Sequence, residues 1–476
     1  MSQRFLIPPG SPLLVASGLN RRRFLYTTAL TLGAAALRAH AAAKPRLVSA
    51  NGKPVIAGIG VGGKGAVDLK GLHDGGASQV VALCDVDRRT LESARAKYPG
   101  ARLYTDYRVM LEKEADLDAV NVSTPDHHHY PATLLAMRKG LGVYTQKPLT
   151  HTVWEARQLT EAARRMGVVT QMGNQGHSGG GNRVLCEHLW AGLIGEVREV
   201  HCWTNRPIWP QGQARPAGSD PVPEYLDWDS WIGPAPMRPY VGPGADAKDP
   251  KKKAARGPYH PFNWRGIWDF GAGALGDMGC HVMDGACWAL RLENPASVEV
   301  VDSAPRNDES APAWSVLRYE FPARPGHDGR MLPACTLTWH DGGRKPPRQP
   351  GQGAYPFAEN GTLFVGSEGR LVTETYGGSP RLLVKDKLQK PAEPKRVLER
   401  VPGDDPYLDF LRGLRGGPKP CSNFEVSGPF TEVVLLGNLA LRLGKKVEWD
   451  AANLKSPNCP EAAPFIRKPY RKGWEA

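Results

Sequence analysis

Between residues 54 and 175 short apolar runs alternate with amphipathic stretches. "PVIAGIG" (54–60) is a β-branched run closed by glycine and reads as a buried strand. "VGGKGAVDLKGLHDG" then turns into a helix with apolar positions at Val67, Leu69 and Leu72, and "SQVVALCDVD" (78–87) supplies a second strand. The alternation continues as helix 88–99, strand 117–125, helix 130–140, strand 141–148, helix 154–167 and strand 168–175. It predicts a doubly wound parallel sheet over 46–175. From 176 the texture changes. Segments 195–205, 296–303, 315–323, 334–342, 361–375 and 381–386 read as strands with few helices between them. They predict a second, α+β domain to about residue 450, built on a large, open, mostly antiparallel sheet. A Pro/Gly/Trp-rich insertion at 205–266 reads as loop, two helices are expected near 404–415 and 428–444, and 451–476 is a polar tail.

With 476 residues the chain is long enough for two cores, since single cores stop growing at about 250–300 residues. No stretch reaches the roughly 20 apolar residues of a membrane span. "NRRRFLYTTALTLGAAALRAHAAAKP" (20–45) places arginines, a short apolar run and small residues in order, and resembles a twin-arginine export signal over 1–43. Arg21 and Arg22 form the pair, and Ala39-His40-Ala41 or Ala41-Ala42-Ala43 the cleavage triplet. This reading implies the export machinery as a partner and a periplasmic or otherwise exported protein. Cleavage after Ala41 removes five arginines and no acid from the formal charge of +13. The remaining basic run, "AKDPKKKAARGP" (247–258), has no interleaved aromatics and reads as a solvated loop, so no nucleic-acid surface is expected. Eight scattered cysteines without a C-x-x-C read mostly as buried small hydrophobes.

The turn "GIGVGGKG" (58–65) holds two overlapping G-x-G-x-x-G frames, Gly58/Gly60/Gly63 and Gly60/Gly62/Gly65. The second leaves a longer strand and puts its last glycine at the helix entrance. Glycines there allow a tight turn and let a helix N-terminus meet a pyrophosphate with no side chain between them. An acidic residue about 20 positions on would hold ribose hydroxyls, and Asp85 in "ALCDVD" fits. Its charge repels a 2′-phosphate and favours NAD, while Arg88 and Arg89 leave NADP open.

Later strands end in "STPDHHH" (123–129) and "TQKPLTH" (145–151). The glycine fingerprint, a T-P-x-x-x-H and a lysine–proline pair after consecutive strands resemble the Gfo/Idh/MocA oxidoreductases across essentially the whole mature chain. The resemblance implies a Rossmann domain followed by an open-sheet domain, NAD(P)-dependent chemistry on sugars or polyols, and homo-oligomers packed through the open sheet. Within it Thr124 and His129 stand near the cofactor, and Lys147 matches the usual E-K-P. Gln146 replaces the glutamate of that motif; its amide can still hydrogen-bond a ribose hydroxyl. His127, His128 and His129 cannot all face one ion from a single turn, so no metal is expected, and the first two read as solvated or supporting.

"FNWRGIWDFGAGALGDMGCHVMDGACW" (262–288) carries the candidate reacting groups. In a continuous helix Asp277, His281 and Asp284 fall at i, i+4 and i+7 on one face, where a carboxylate would raise the basicity of the imidazole. By resemblance His281 is the base for a substrate hydroxyl, Lys147 polarises the reacting oxygen, and Asp277 orients substrate or histidine. Asn174 and His177 in "GNQGHSGGGNR" and Arg265 in "NWRGIWDF" are candidate substrate contacts, with structural roles nearly as well supported. The residues fit a net dehydrogenase. They also fit a lyase, glycoside-cleaving enzyme or epimerase that oxidises transiently and regenerates its cofactor, and a sensor that has lost catalysis fits less well. Export of a folded protein away from free NAD predicts a cofactor loaded beforehand and tightly held.

Overall fold

In the computed structural model, residues 44–49, 51–243, 256–347 and 357–475 are described. The segment read as an export signal and most of the basic run at 247–258 lie outside them. Six strands, β1 (Val55–Ile59), β2 (Gln79–Cys84), β3 (Arg102–Tyr104), β4 (Ala119–Val122), β5 (Gly142–Thr145) and β6 (Thr170–Met172), form an all-parallel sheet in the order β3-β2-β1-β4-β5-β6. The crossing helices are α1 (Gly63–His73), α2 (Arg88–Arg95), α3 (Tyr107–Lys113), α4 (His129–Arg138) and α5 (Val153–Met166). β4 and β5 are buried at every residue, which is why they read as apolar runs without alternation. The order reverses between β1 and β4, and such a switch point is where a doubly wound sheet presents its ligand crevice.

After α6 (Gly180–Trp190), the second sheet has nine strands in the order β16-β15-β14-β13-β7-β12-β9-β8-β17. They are β7 (Val197–Trp203), β8 (Ser297–Ser303), β9 (Ser315–Phe321), β12 (Cys335–His340), β13 (Gly361–Gly366), β14 (Arg370–Thr373), β15 (Arg381–Val384), β16 (Lys387–Gln389) and β17 (Val447–Glu448). β10 (Arg324–Pro325) and β11 (Met331–Leu332) pair apart as a small hairpin. Only β7 and β12 run parallel to each other. Leu317, Tyr319, Leu337 and Trp339 bury one face of this sheet in the same core as residues of α8 (Gly273–Val282) and α11 (Phe424–Leu443).

Local patterning misplaces four features. On α1 it is Asp68 that is fully buried and Val67 that is 55% exposed, because Asp68 meets polar partners from three other segments. The stretch read as one helix from Asp277 breaks at Met283 into α8 and α9 (Asp284–Leu290). α11 starts four residues before the expected position and runs through Pro429; nearly all-round burial against α5 and α8 offsets the roughly 3 kcal/mol an interior proline costs. The insertion and the tail are not bare loop. The insertion forms α7 (Trp228–Ile232) and a small core of Trp228, Trp231, Tyr259, Trp264 and Phe270, and the tail buries Cys459, Ile466 and Trp474. α10 (Pro406–Leu414) packs on α1, with the Asp405 side chain capping its N-terminus.

Candidate active site

A cleft of about 590 Å³ opens at the switch point. Its floor is the β1–α1 turn. Gly60 takes a left-handed φ of 75°, and a Cβ there would strike the Ser123 carbonyl. A Cβ on Gly65 would overlap the Gly60 carbonyl oxygen, so α1 can approach the turn only if residue 65 has no side chain. Gly62 is the N-cap of α1, with Gly62 and Lys64 lining the cleft. These are the roles of the three glycines in the Gly60/Gly62/Gly65 frame: turn, approach and helix packing. Asp85 also lines the cleft; its Oδ2 accepts from Val61 N at 2.9 Å, and burial raises its carboxyl above the ordinary range.

Gln146 lies beside a buried polar network centred on Asp68. The Asp68 carboxylate accepts from Ser123 Oγ (2.8 Å), Gln146 Nε2 (2.9 Å), Tyr407 OH (2.9 Å) and Lys64 Nζ. That explains the departure from E-K-P: a glutamate at 146 would set a second carboxylate against one already buried, and the two could not both ionise. Gln146→Glu is therefore expected to cost about 1–3 kcal/mol of stability, an unmade buried hydrogen bond plus repulsion. The double variant Gln146→Glu, Asp68→Asn should regain most of it in denaturant unfolding. Equal costs for single and double variants would refute the coupling.

Thr124 lines the cleft with an Oγ1 that is buried and has no partner among the described residues, an orphan that a bound dinucleotide could satisfy. His129 is not a lining residue. Its Nδ1 lies 2.7 Å from the Pro148 carbonyl and its Nε2 3.0 Å from that of Thr124, so it ties the Thr124 turn to the Lys147 turn; burial brings its pKa down to about 4. His127 and His128 are buried too, correcting their reading as solvated. Both face the Trp231 carbonyl and pack against Trp231, Phe270 and Trp474.

At the other end of the cleft, the loop before α8 brings Asp277 against the β5 turn. Lys147 Nζ donates to Asp277 Oδ1 (2.7 Å) and to the Asp277 carbonyl (2.8 Å), and Arg265 Nε stands 3.9 Å from the same Oδ1. Burial pushes the Asp277 carboxyl up, but Lys147 and Arg265 outweigh it and hold it below its ordinary range. The expected Asp277–His281 partnership is thus corrected: Asp277 orients Lys147. His281 lines the cleft edge-on to Tyr376, its Nδ1 without a partner among the described residues, and burial and then Lys147 bring its pKa down to about 3. The imidazole is therefore uncharged. Asp284, beyond the helix break, belongs to His177 (Nδ1 to Oδ1, 2.8 Å).

His177 stacks on Trp288, and Asn174 accepts from Ser422 Oγ; both are buried and stand behind the cleft lining. Arg265 does line it. So does Asp126, which sequence reasoning passed over inside "STPDHHH". Its Oδ2 accepts from Ala272 N at 2.9 Å, and burial pushes its carboxyl up to about 7.

The insertion and the tail wall the dinucleotide end. Leu226 bridges to Asp87 just after β2, Asp227 N donates to Val86 O (2.9 Å), and Arg88 N donates to Tyr225 O (2.9 Å). Arg89 stacks on Tyr225 at 3.5 Å and donates to both oxygens of Asp87, and Oδ2 of that carboxylate also meets His260 Nε2 at 3.1 Å. From the opposite side Trp474 enters the cleft wall beneath Arg108 (3.7 Å to the ring), while Arg471 ties the tail to Asp229 and Gly233 of the insertion. No local pattern announced Trp474, since its partners lie hundreds of positions away.

Fold and site together define a dinucleotide-binding oxidoreductase architecture. Residues 55–174 match the Gfo/Idh/MocA oxidoreductase family's NAD-binding Rossmann fold and 196–325 match its C-terminal alpha/beta domain; the chain belongs to this family. It is 29% identical over 119 residues to D-glucoside 3-dehydrogenase of Escherichia coli (strain K12), covering 25% of this chain and 34% of that protein. It is 28% identical over 205 residues to a glycosyl hydrolase family 109 protein of Shewanella pealeana, covering 38% and 44%. The matches thus span well under two thirds of these relatives. A solved WlbA dehydrogenase from Bordetella pertussis, in complex with NADH and UDP-GlcNAcA, shares the fold with a TM-score of 0.55 at 15% identity, over 86% of this chain and 99% of that one.

Proposed function

We propose that the protein oxidises a hydroxyl of a sugar, polyol or glycoside with an NAD that it holds tightly. The observation that carries the proposal is the Lys147–Asp277 pair in one cleft with the glycine turn and with His281, whose Nδ1 has no partner among the described residues. Gly60, Gly62 and Gly65 leave room for a pyrophosphate, Asp85 would hold ribose hydroxyls and favour NAD over NADP, and Thr124 and Gln146 would supply polar contacts. Bound NAD would supply the hydride acceptor. Lys147, aimed by Asp277, hydrogen-bonds the reacting oxygen, and His281 takes the hydroxyl proton.

The enclosed dinucleotide end favours a second reading, in which the cofactor is reduced and reoxidised within one turnover and the net reaction is cleavage or rearrangement of a glycoside. The relatives named as glycosyl hydrolase family 109 proteins agree with it. Export before loss of the cytoplasmic NAD supply, supported by the arginine-led segment at 20–45, points the same way. Incubation with glycosides and no added nicotinamide distinguishes the two: product without NADH accumulation supports recycling, strict dependence on free NAD supports net oxidation. Trp474→Ala should speed cofactor release by about tenfold, the worth of one cation–π and aromatic contact, measured by dilution into a nucleotide trap. An unchanged rate would remove the tail from the account of retention.

A further inference from the structure

The reacting end of the cleft is richer in cations than its carboxylates can balance. Lys147, Arg265 and Arg256 all line it. The Asp277 charge is committed to Lys147 at 2.7 Å and stands 3.9 Å from Arg265. Asp126 has one oxygen on the Ala272 amide, and burial moves it toward the neutral form. Arg265 is largely withdrawn from water, with its side chain 23% exposed. Its guanidinium lies over Phe262 (4.2 Å) and Trp264 (4.4 Å), and among the described residues its hydrogen bond is a single one, from Nη1 to the Phe262 carbonyl at 3.0 Å. Arg256 stacks on the same Phe262 at 4.5 Å and has no carboxylate partner among the described residues. A cation withdrawn from water with only a shared counter-ion is costly, and a guanidinium stacked on aromatic rings keeps a rigid fork of donors for a planar anion.

The geometry points to a substrate that carries its own carboxylate, a uronic acid or uronide, held by Arg265 with Arg256 while its hydroxyl meets Lys147 and His281. This deepens the reading of the site as a sugar oxidoreductase and rests on it. The glycine turn with Lys64 lies at the dinucleotide end, so the phosphates of the cofactor do not account for a cation beside Asp277. A neutral sugar would leave Arg265 with only its 3.9 Å ion pair to Asp277, a carboxylate already shared with Lys147.

The test compares methyl glucuronide with methyl glucoside, and methyl galacturonide with methyl galactoside, on the full-length holoprotein. Binding is read from quenching of tryptophan fluorescence and chemistry from nicotinamide absorbance. The uronide of at least one pair should bind about ten- to a hundredfold more tightly than its neutral partner, the worth of a hydrogen-bonded charge pair, and the preference should shrink with salt. Arg265→Met should abolish the preference, and Arg256→Gln, at an exposed position, should reduce it. Equal or tighter binding of both neutral partners overturns the proposal, as does a preference that survives Arg265→Met. If Arg265→Met does not fold, the wild-type ratio and Arg256→Gln decide. Uronide binding with no change in nicotinamide absorbance and no product would instead sink the oxidoreductase reading and leave the anion site standing.

Discussion

Lys147→Met is expected to lower turnover by about a hundred- to ten-thousand-fold, the usual worth of a positioned proton-handling group. Cofactor content and unfolding midpoint should change little by comparison. Lys147 is 15% exposed and its two hydrogen bonds both go to Asp277, which remains near Arg265 when the lysine is gone. Asp277→Asn should cost less than Lys147→Met and act through the lysine, because the carboxylate aims Nζ and does not touch His281. With His281 brought down to about 3 by burial and Lys147, its imidazole is neutral through the whole working range. Acidification from pH 8 to 5 should therefore produce no histidine limb near pH 6.5. Steady-state rates of the variants across that range check both statements, and a Lys147→Met protein with near-normal turnover would end the assignment.

The second large effect lies in the glycine turn. Gly65→Ala should abolish cofactor retention, because its Cβ would overlap the Gly60 carbonyl and force α1 off the turn. Gly63 offers the control. It has a φ of 49° but nothing within 4 Å of a Cβ, so Gly63→Asn, a residue that tolerates the left-handed region, should keep the nucleotide. Mass spectrometry of nucleotide released from both purified variants decides between the two overlapping frames. Retention by Gly65→Ala with loss by Gly63→Asn would reverse the choice.

The parallel sheet was legible because β1, β2, β4 and β5 are buried runs with glycine or acidic punctuation, and the glycine turn was legible because steric exclusion leaves a mark in composition. β3 escaped because its three edge residues, an exposed Arg102 followed by half-buried Leu103 and Tyr104, carry no apolar pattern. Asp68 escaped for the opposite reason: its burial is decided by Ser123, Gln146 and Tyr407, which no window around α1 contains. Spacing put Asp277, His281 and Asp284 together and the family resemblance singled out Lys147, yet neither disclosed their partnerships. Helical periodicity put Asp277, His281 and Asp284 on one face; the break at Met283 gave Asp284 to His177, and proximity across the cleft gave Asp277 to Lys147. The walls of the cleft were the least legible part, since Tyr225, His260 and Trp474 meet the β2 end and α3 only through tertiary packing.

The most direct test of the account is to denature the purified wild-type protein, prepared without added nucleotide, and quantify what it releases. Close to one equivalent of NAD or NADH per chain is expected. Absence of nicotinamide nucleotide, together with failure of added NAD to bind the native protein, would contradict it.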